Sequence, residues 1–215
     1  MKKAISLVCV LFLCLMLAGC GKVVYTNPYL ELPKPVAILT MESGLEMRFT
    51  LDPAAAPNTV ANFINLANSG FYDGLKIDYI YPTYFMRGGD PNGDGTGGTD
   101  YSIEGEFAEN GFKLDGLTHK RGVLSMCRYV DDPNSASSQF FIMLGTHSEY
   151  DGQYAAFGYI EPNDALSFEA LDKLTDVSLD KSYRPLLKQT IVSIRVPDTG
   201  GYTYNVIKYK TKDEG

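Results

Sequence analysis

The chain has 215 residues, a formal net charge of −7, 45% hydrophobic residues and 21% charged ones. The acid excess excludes a nucleic-acid surface, which demands a basic face. The length and apolar share allow one domain with an ample core.

Lys2 and Lys3 precede an apolar run, Ala4 to Ala18. The run is shorter than the ~20 residues that a membrane-spanning helix needs. It stops at Leu17-Ala18-Gly19-Cys20, which resembles a bacterial lipobox. The resemblance implies a signal peptide at 1–19, cleavage before Cys20 and lipidation of the Cys20 thiol. An ordinary signal peptide or an uncleaved anchor is the alternative. Lipidation would tether the protein to the outer face of a membrane, since two or more acyl chains give stable anchoring. Loss of Lys2 and Lys3 would move the formal charge to about −9. Cys9 and Cys14 would leave with the signal and Cys20 would carry lipid. Cys127 alone then remains, so no internal disulfide is expected. Residues 20–35 read as the lipidated cysteine and an extended linker, stiffened by Pro28, Pro33 and Pro35. Residues 36–215 read as the domain.

"VAILTM" and "LEMRFTL", across Glu42-Ser43-Gly44, predict a hairpin. In its second arm Leu45, Met47, Phe49 and Leu51 share one face, and Glu46, Arg48 and Thr50 the other. "PNTVANFINLANSG" predicts a helix: Pro57 suits the first turn, Val60, Phe63, Ile64 and Ala67 share a face, and Gly70 suits the end. Short strands are expected around Tyr79, around Phe85, and in "VLSM", "QFFIML" and "AAFGYI". "DALSFEALDKL" predicts a second helix. "QTIVSIRV" reads as a late strand and "YTYNVIKY" as one more. Many short strands with two helices mean mostly antiparallel β, a barrel or a sandwich.

The loop "GGDPNGDGTGG" lacks the Gly-Lys-Ser/Thr of a phosphate loop. Asp90, Asn92, Asp94 and Gly95 match the start of a calcium loop, but Tyr101 stands where a bidentate glutamate belongs. A turn-rich loop beside a strand is the expectation. His119 and His147 show no metal-ligand spacing, and no nucleophile elbow is present. Cys127 precedes Arg128, a neighbour able to lower its pKa, though a lone cysteine on an apolar strand is usually inert packing. No cofactor and no metal are called for. An enzyme built on this chain must run a reaction that needs no nucleophile.

From Phe71 the chain runs "FYDGL", "FMRGGDPNGDGTGG", "EGEF", "RGVLSM", "DPNSASSQFFIML" and "YDGQYAAFGYI". In that order these motifs resemble the cyclophilin-type peptidyl-prolyl isomerases, over about Val36 to Val196. The resemblance implies a mostly β fold, a closed eight-stranded antiparallel barrel capped by two α-helices, with a C-terminal extension from about residue 197. It also implies isomerisation of X–Pro bonds. That reaction has a barrier of ~18–20 kcal/mol and breaks no bond. The catalyst need only bind the twisted amide better than either planar isomer. An apolar pocket holds the proline, and in the family an arginine donates toward the prolyl nitrogen.

The resemblance assigns Gln139 to peptide orientation and Phe141 to the proline pocket. It places Tyr84, Phe85 and Tyr154 in the pocket wall, with Tyr150 beside them, and Cys127 and Arg128 where backbone meets peptide. Glu149 takes the place of a tryptophan found in members that bind cyclosporin well, so weak cyclosporin binding is expected. Two departures matter more. The family arginine position is Tyr79, and the glutamine before Gly-Gly-Asp is Arg87. A neutral hydroxyl donor gives roughly half the bond strength of a charged one. In one reading the guanidinium has moved: Arg87 reaches in, Tyr79 is an auxiliary donor, and the isomerase works at reduced efficiency. In another the domain is a non-catalytic proline-peptide-binding module or holdase at the cell surface. Arg87 would then be a loop-edge charge paired with Asp90 or Asp78. A purely structural surface domain is a third reading. The expected partners are proline-containing segments of exported proteins and, through lipid, a membrane; the protein is expected to be a monomer.

Overall fold

The computed structural model describes residues 32–113 and 116–211. The expected signal peptide, Cys20 and the linker up to residue 31 lie outside them. In chain order the elements are β1 (Val36–Met41), β2 (Glu46–Leu51), α1 (Pro57–Asn68), β3 (Lys76–Tyr81), β4 (Phe85–Gly88), β5 (Tyr101–Ser102), β6 (Val123–Met126), β7 (Phe140–Met143), β8 (Ala156–Tyr159), α2 (Ala165–Thr175), β9 (Gln189–Arg195) and β10 (Lys210–Thr211). Eight strands form a closed barrel in the order β1-β2-β8-β6-β7-β4-β3-β9, and β5 and β10 pair apart from it. The barrel pairings are antiparallel, and β1 meets both β2 and β9. This is the expected closed barrel with two helices.

The hairpin forms because alternation gives β2 one apolar face. Met47, Phe49 and Leu51 are buried and Glu46 and Arg48 exposed. Thr50 is buried too, against the expected pattern, and its hydroxyl donates to Glu161 at 2.8 Å. Gly44 turns the hairpin at φ +82°. Pro57 opens α1, where no side chain of the preceding residue caps the helix. The buried Glu106 carboxylate does so from afar, accepting from the amides of Asn58 (3.0 Å) and Thr59 (2.7 Å). These are orphan donors at the positive end of the helix dipole. The far end closes as a Schellman turn: Phe71 N–H reaches Leu66 O at 3.0 Å, Gly70 N–H reaches Ala67 O at 3.2 Å, and Gly70 has φ +80°. In α2, Asp164 caps Ser167 N–H at 3.0 Å. The same serine hydroxyl accepts from Arg48 N–H at 2.9 Å, tying helix to barrel.

Phe63 from α1 centres the core, with ring centroids 5.4 Å from Tyr72, 5.8 Å from Phe140 and 5.1 Å from Phe157. Beyond the barrel, the stretch read as a strand, "YTYNVIKY", is not one. At Tyr204 and Ile207 its backbone is bound by side chains of α1 instead. Asn65 donates to Tyr204 O at 2.7 Å, and Asn58 both donates to Ile207 O (2.9 Å) and accepts from Ile207 N–H (2.7 Å). Alternation in that stretch reflects the burial of Tyr204 against the core. The strand itself comes later, as β10, where Lys210 faces Ser102.

Candidate active site

The pleat sorts the central strands into two faces. Phe140, Met86 and Ile80 point into the barrel core. Their neighbours Phe141, Phe85, Arg87, Tyr79 and Tyr81 point outward. Cross-strand register then sets Tyr79, Arg87, Phe141 and Ser125 in one row across β3, β4, β7 and β6. An outer apolar cluster forms around Phe141, Val123, Met143 and Ala156, with Phe85, Cys127, Tyr150 and Tyr154 packed against it. It walls a cavity of about 560 Å³.

Of the expected site residues, Phe85, Arg87, Cys127, Arg128, Gln139, Phe141, Tyr150 and Tyr154 line this cavity. Phe141 lies centrally, its ring 5.4 Å from Phe85, 6.0 Å from Tyr150 and 5.4 Å from Tyr154. Tyr79 and Tyr84 stand outside the wall. Tyr84 is stacked between Tyr81 (4.6 Å) and His147 (3.9 Å), so its ring is taken up there. Tyr79 lies beneath the Arg87 guanidinium, 5.5 Å from its centroid. Burial first, then the neighbouring Tyr183 and Tyr81, hold the Tyr79 phenol above its ordinary value against the pull of Arg87. Its hydroxyl is therefore a neutral donor.

Arg87 is paired with Asp78, through Nε at 3.3 Å and more closely through Nη2. Burial works against the guanidinium's charge, but the Asp78 bonds and charge outweigh it and raise its pKa. The side chain is 22% exposed and the Asp78 side chain 4%, so this is no solvated loop-edge pair. Among the described residues nothing accepts a hydrogen bond from Nη1, which packs under Gly95 at the cavity wall. The ion pair orients the guanidinium and leaves a donor over.

Asp90 organises the glycine loop. Its buried carboxylate accepts from the amides of Asn92 (2.9 Å), Asp94 (2.9 Å), Gly95 (2.5 Å) and Gly97 (2.9 Å). The loop in turn fixes Gln139. Nε2 of Gln139 donates to Gly95 O at 3.1 Å and Gly97 O at 2.7 Å. Both amide protons are then committed, and Oε1 is the group left to accept from a peptide N–H.

Arg128 is pinned at the rim, donating to the carbonyls of Gln153 (3.0 Å), Tyr129 (2.9 Å) and Val130 (2.9 Å) and lying 4.8 Å over Tyr154. It does not activate the Cys127 thiol. Burial pushes that thiol up to about 12, and Arg87 is the cation that partly opposes the rise.

Three features gave no signal in the sequence. Lys210 reaches the cavity rim because the C-terminal extension wraps α1. His119 props Phe141 from behind, its ring 5.9 Å away and nearly parallel. Its Nδ1 meets Asp151 at 2.9 Å and its Nε2 meets Ser125 Oγ at 3.1 Å. This set has the residue types of a hydrolytic triad, but Ser125 and His119 are buried and can touch no substrate. Tyr183 packs on Tyr79 and Tyr81 from a loop far along the chain.

Residues 36–196 match the family model described as cyclophilin type peptidyl-prolyl cis-trans isomerase/CLD. The chain belongs to the cyclophilin family. It is 42% identical over 120 residues to peptidyl-prolyl cis-trans isomerase B of Bacillus subtilis (strain 168), covering 56% of this chain and 79% of that one. It is 39% identical over 130 residues to a peptidyl-prolyl cis-trans isomerase of Synechococcus elongatus, covering 60% and 83%. A crystal structure of a Cryptosporidium parvum cyclophilin-type isomerase, in the presence of the dipeptide Ala-Pro, superposes with a TM-score of 0.67 at 28% identity. It covers 76% of this chain and 99% of that one. The protein is thus an isomerase of the cyclophilin type, acting on peptidyl-prolyl bonds.

Proposed function

We propose that this cyclophilin turns proline bonds in exported proteins at the outer face of a membrane, held there by lipid on Cys20, with Arg87 supplying the donor that the family takes from another strand. The observation that carries the reading is the Nη1 of Arg87, which donates to no acceptor among the described residues, at the wall of an apolar cavity one strand from the Tyr79 position. The proline ring packs against Phe85 and Phe141, and Gln139 Oε1 accepts from the peptide. The Arg87 guanidinium favours the pyramidal prolyl nitrogen of the twisted state. Because Nε and Nη2 are spent on Asp78, part of the positive charge is already compensated, and reduced efficiency follows.

The test is exchange NMR on a short X–Pro peptide with the full-length chain. Accelerated cis–trans exchange supports the catalytic reading. Peptide binding without acceleration would leave a proline-binding module or holdase instead. Location is tested by labelling cells with a fatty acid. Label on the wild-type chain and none on Cys20→Ala supports the anchor, and an unlabelled wild type removes it.

A further inference from the structure

The proline cavity does not end at Phe85. That ring lies 5.9 Å from Tyr79 and 6.2 Å from Tyr81, so the apolar wall runs on across β3. There Tyr81 meets Tyr183 at 5.3 Å, and Tyr79 meets it at 6.1 Å, both edge to face. Tyr183 is 42% exposed. The result is an aromatic ledge continuous with the cavity.

The ledge is held in place at a conformational cost. Among the described residues two that are not glycine have positive φ, Thr83 (66°) and Tyr183 (60°), and both serve this ledge. Such conformations are strained and persist where surrounding structure over-determines them. Thr83 lies in the β3–β4 turn, and its carbonyl accepts from His147 Nε2 at 3.0 Å, fixing the ring that stacks on Tyr84. Tyr183 O accepts from Ile80 N–H at 2.9 Å, which docks its loop on the edge of β3. Asp180 braces the same loop, accepting from the amides of Ser182 (2.7 Å) and Arg184 (2.9 Å). A loop made only to connect α2 to β9 has no need of this.

We propose that the ledge is a second subsite, which takes an aromatic side chain on the same peptide whose proline occupies the cavity. The enzyme would then favour prolines flanked by an aromatic residue, a class that unfolded segments expose and native ones bury. Aromatic pairs gain free energy beyond area burial, and an ordered ledge loses little entropy on receiving one. The proposal rests on the proline packing against Phe85 and Phe141.

Its test uses the full-length chain and short peptides with one proline, carrying Phe or Ala at each neighbouring position. Phe on one side is expected to raise kcat/KM about 3- to 10-fold over Ala. Tyr183→Gly, which suits the positive φ and deletes the ring, should bring that ratio to about one, and Tyr183→Phe should keep it. A wild-type ratio near one on both sides, or a ratio unchanged in Tyr183→Gly, would overturn the subsite. If no peptide is turned over, catalysis has failed separately, and the same ratios read as affinities by NMR titration decide the ledge.

Discussion

Arg87 stands in register between Tyr79 and Phe141 while its guanidinium is bound to Asp78, from the bulge of the neighbouring strand. One carboxylate thereby sets which edge of the guanidinium faces the cavity.

The pair contributes to stability as well as to the site. Arg87→Ala leaves the Asp78 carboxylate buried and unpaired, and should cost about 2–3 kcal/mol, less than a fully buried pair because Arg87 is partly exposed. Adding Asp78→Asn should recover at least half of the loss. Urea melts of the two variants check this. Equal stability of wild type and Arg87→Ala would mean that the pair is not formed.

Gly95 should be a positioning residue for the Arg87 guanidinium. A Cβ there would lie 2.9 Å from Arg87 Nη1 and 3.1 Å from Nη2. Gly95→Ala is expected to displace the guanidinium and lower kcat/KM about 10- to 100-fold. Gly93 supplies the control: it also has positive φ, with nothing within 4 Å of a Cβ. Gly93→Ala pays similar backbone strain and should keep the rate. The two rates measured side by side separate strain from displacement.

Acid should loosen the wall behind Phe141. Burial holds His119 below its ordinary pKa, against the bond to Asp151 that raises it. The unfolded chain then binds the proton more readily than the folded one. The contribution to stability is complete above the unfolded value of about 6.5 and is lost as pH falls below it. Urea midpoints between pH 7.5 and 5 should drop in wild type and drop less in His119→Asn. Identical pH profiles would remove His119 from the account.

Cys127 should resist alkylation although it lines the cavity. With its thiol pushed up to about 12, almost no thiolate is present at pH 8. Iodoacetamide labelling followed by peptide mapping should show Cys127 modified at least about a hundredfold more slowly in the folded chain than in urea. Comparable rates in the two states would contradict the burial that sets this value.

The barrel was legible because its signals are local. Alternation marked β2, Pro57 and Gly70 bracketed α1, and "DALSFEALDKL" read as the helix that is α2. The ordered motifs then located the cavity wall, including Gln139 and Phe141. What the sequence hid depends on pairing between distant segments. Tyr84 reads as a pocket residue until His147, far along the chain, stacks on it. "YTYNVIKY" alternates like a strand, yet its partners are Asn58 and Asn65 side chains, which no periodicity encodes. Tyr183 carries no motif, and its place beside Tyr79 follows from how its loop docks on β3.

Exchange NMR on one X–Pro peptide decides whether Arg87 supplies the donor. The comparison is wild type, Arg87→Ala in the stabilising Asp78→Asn background, and the swap Tyr79→Arg/Arg87→Gln. Removing Arg87 should lower kcat/KM at least about 30-fold with peptide affinity within about threefold, and the swap should restore or exceed the wild-type rate. Arg87→Ala in the Asp78→Asn background turning the peptide over at the wild-type rate would contradict it.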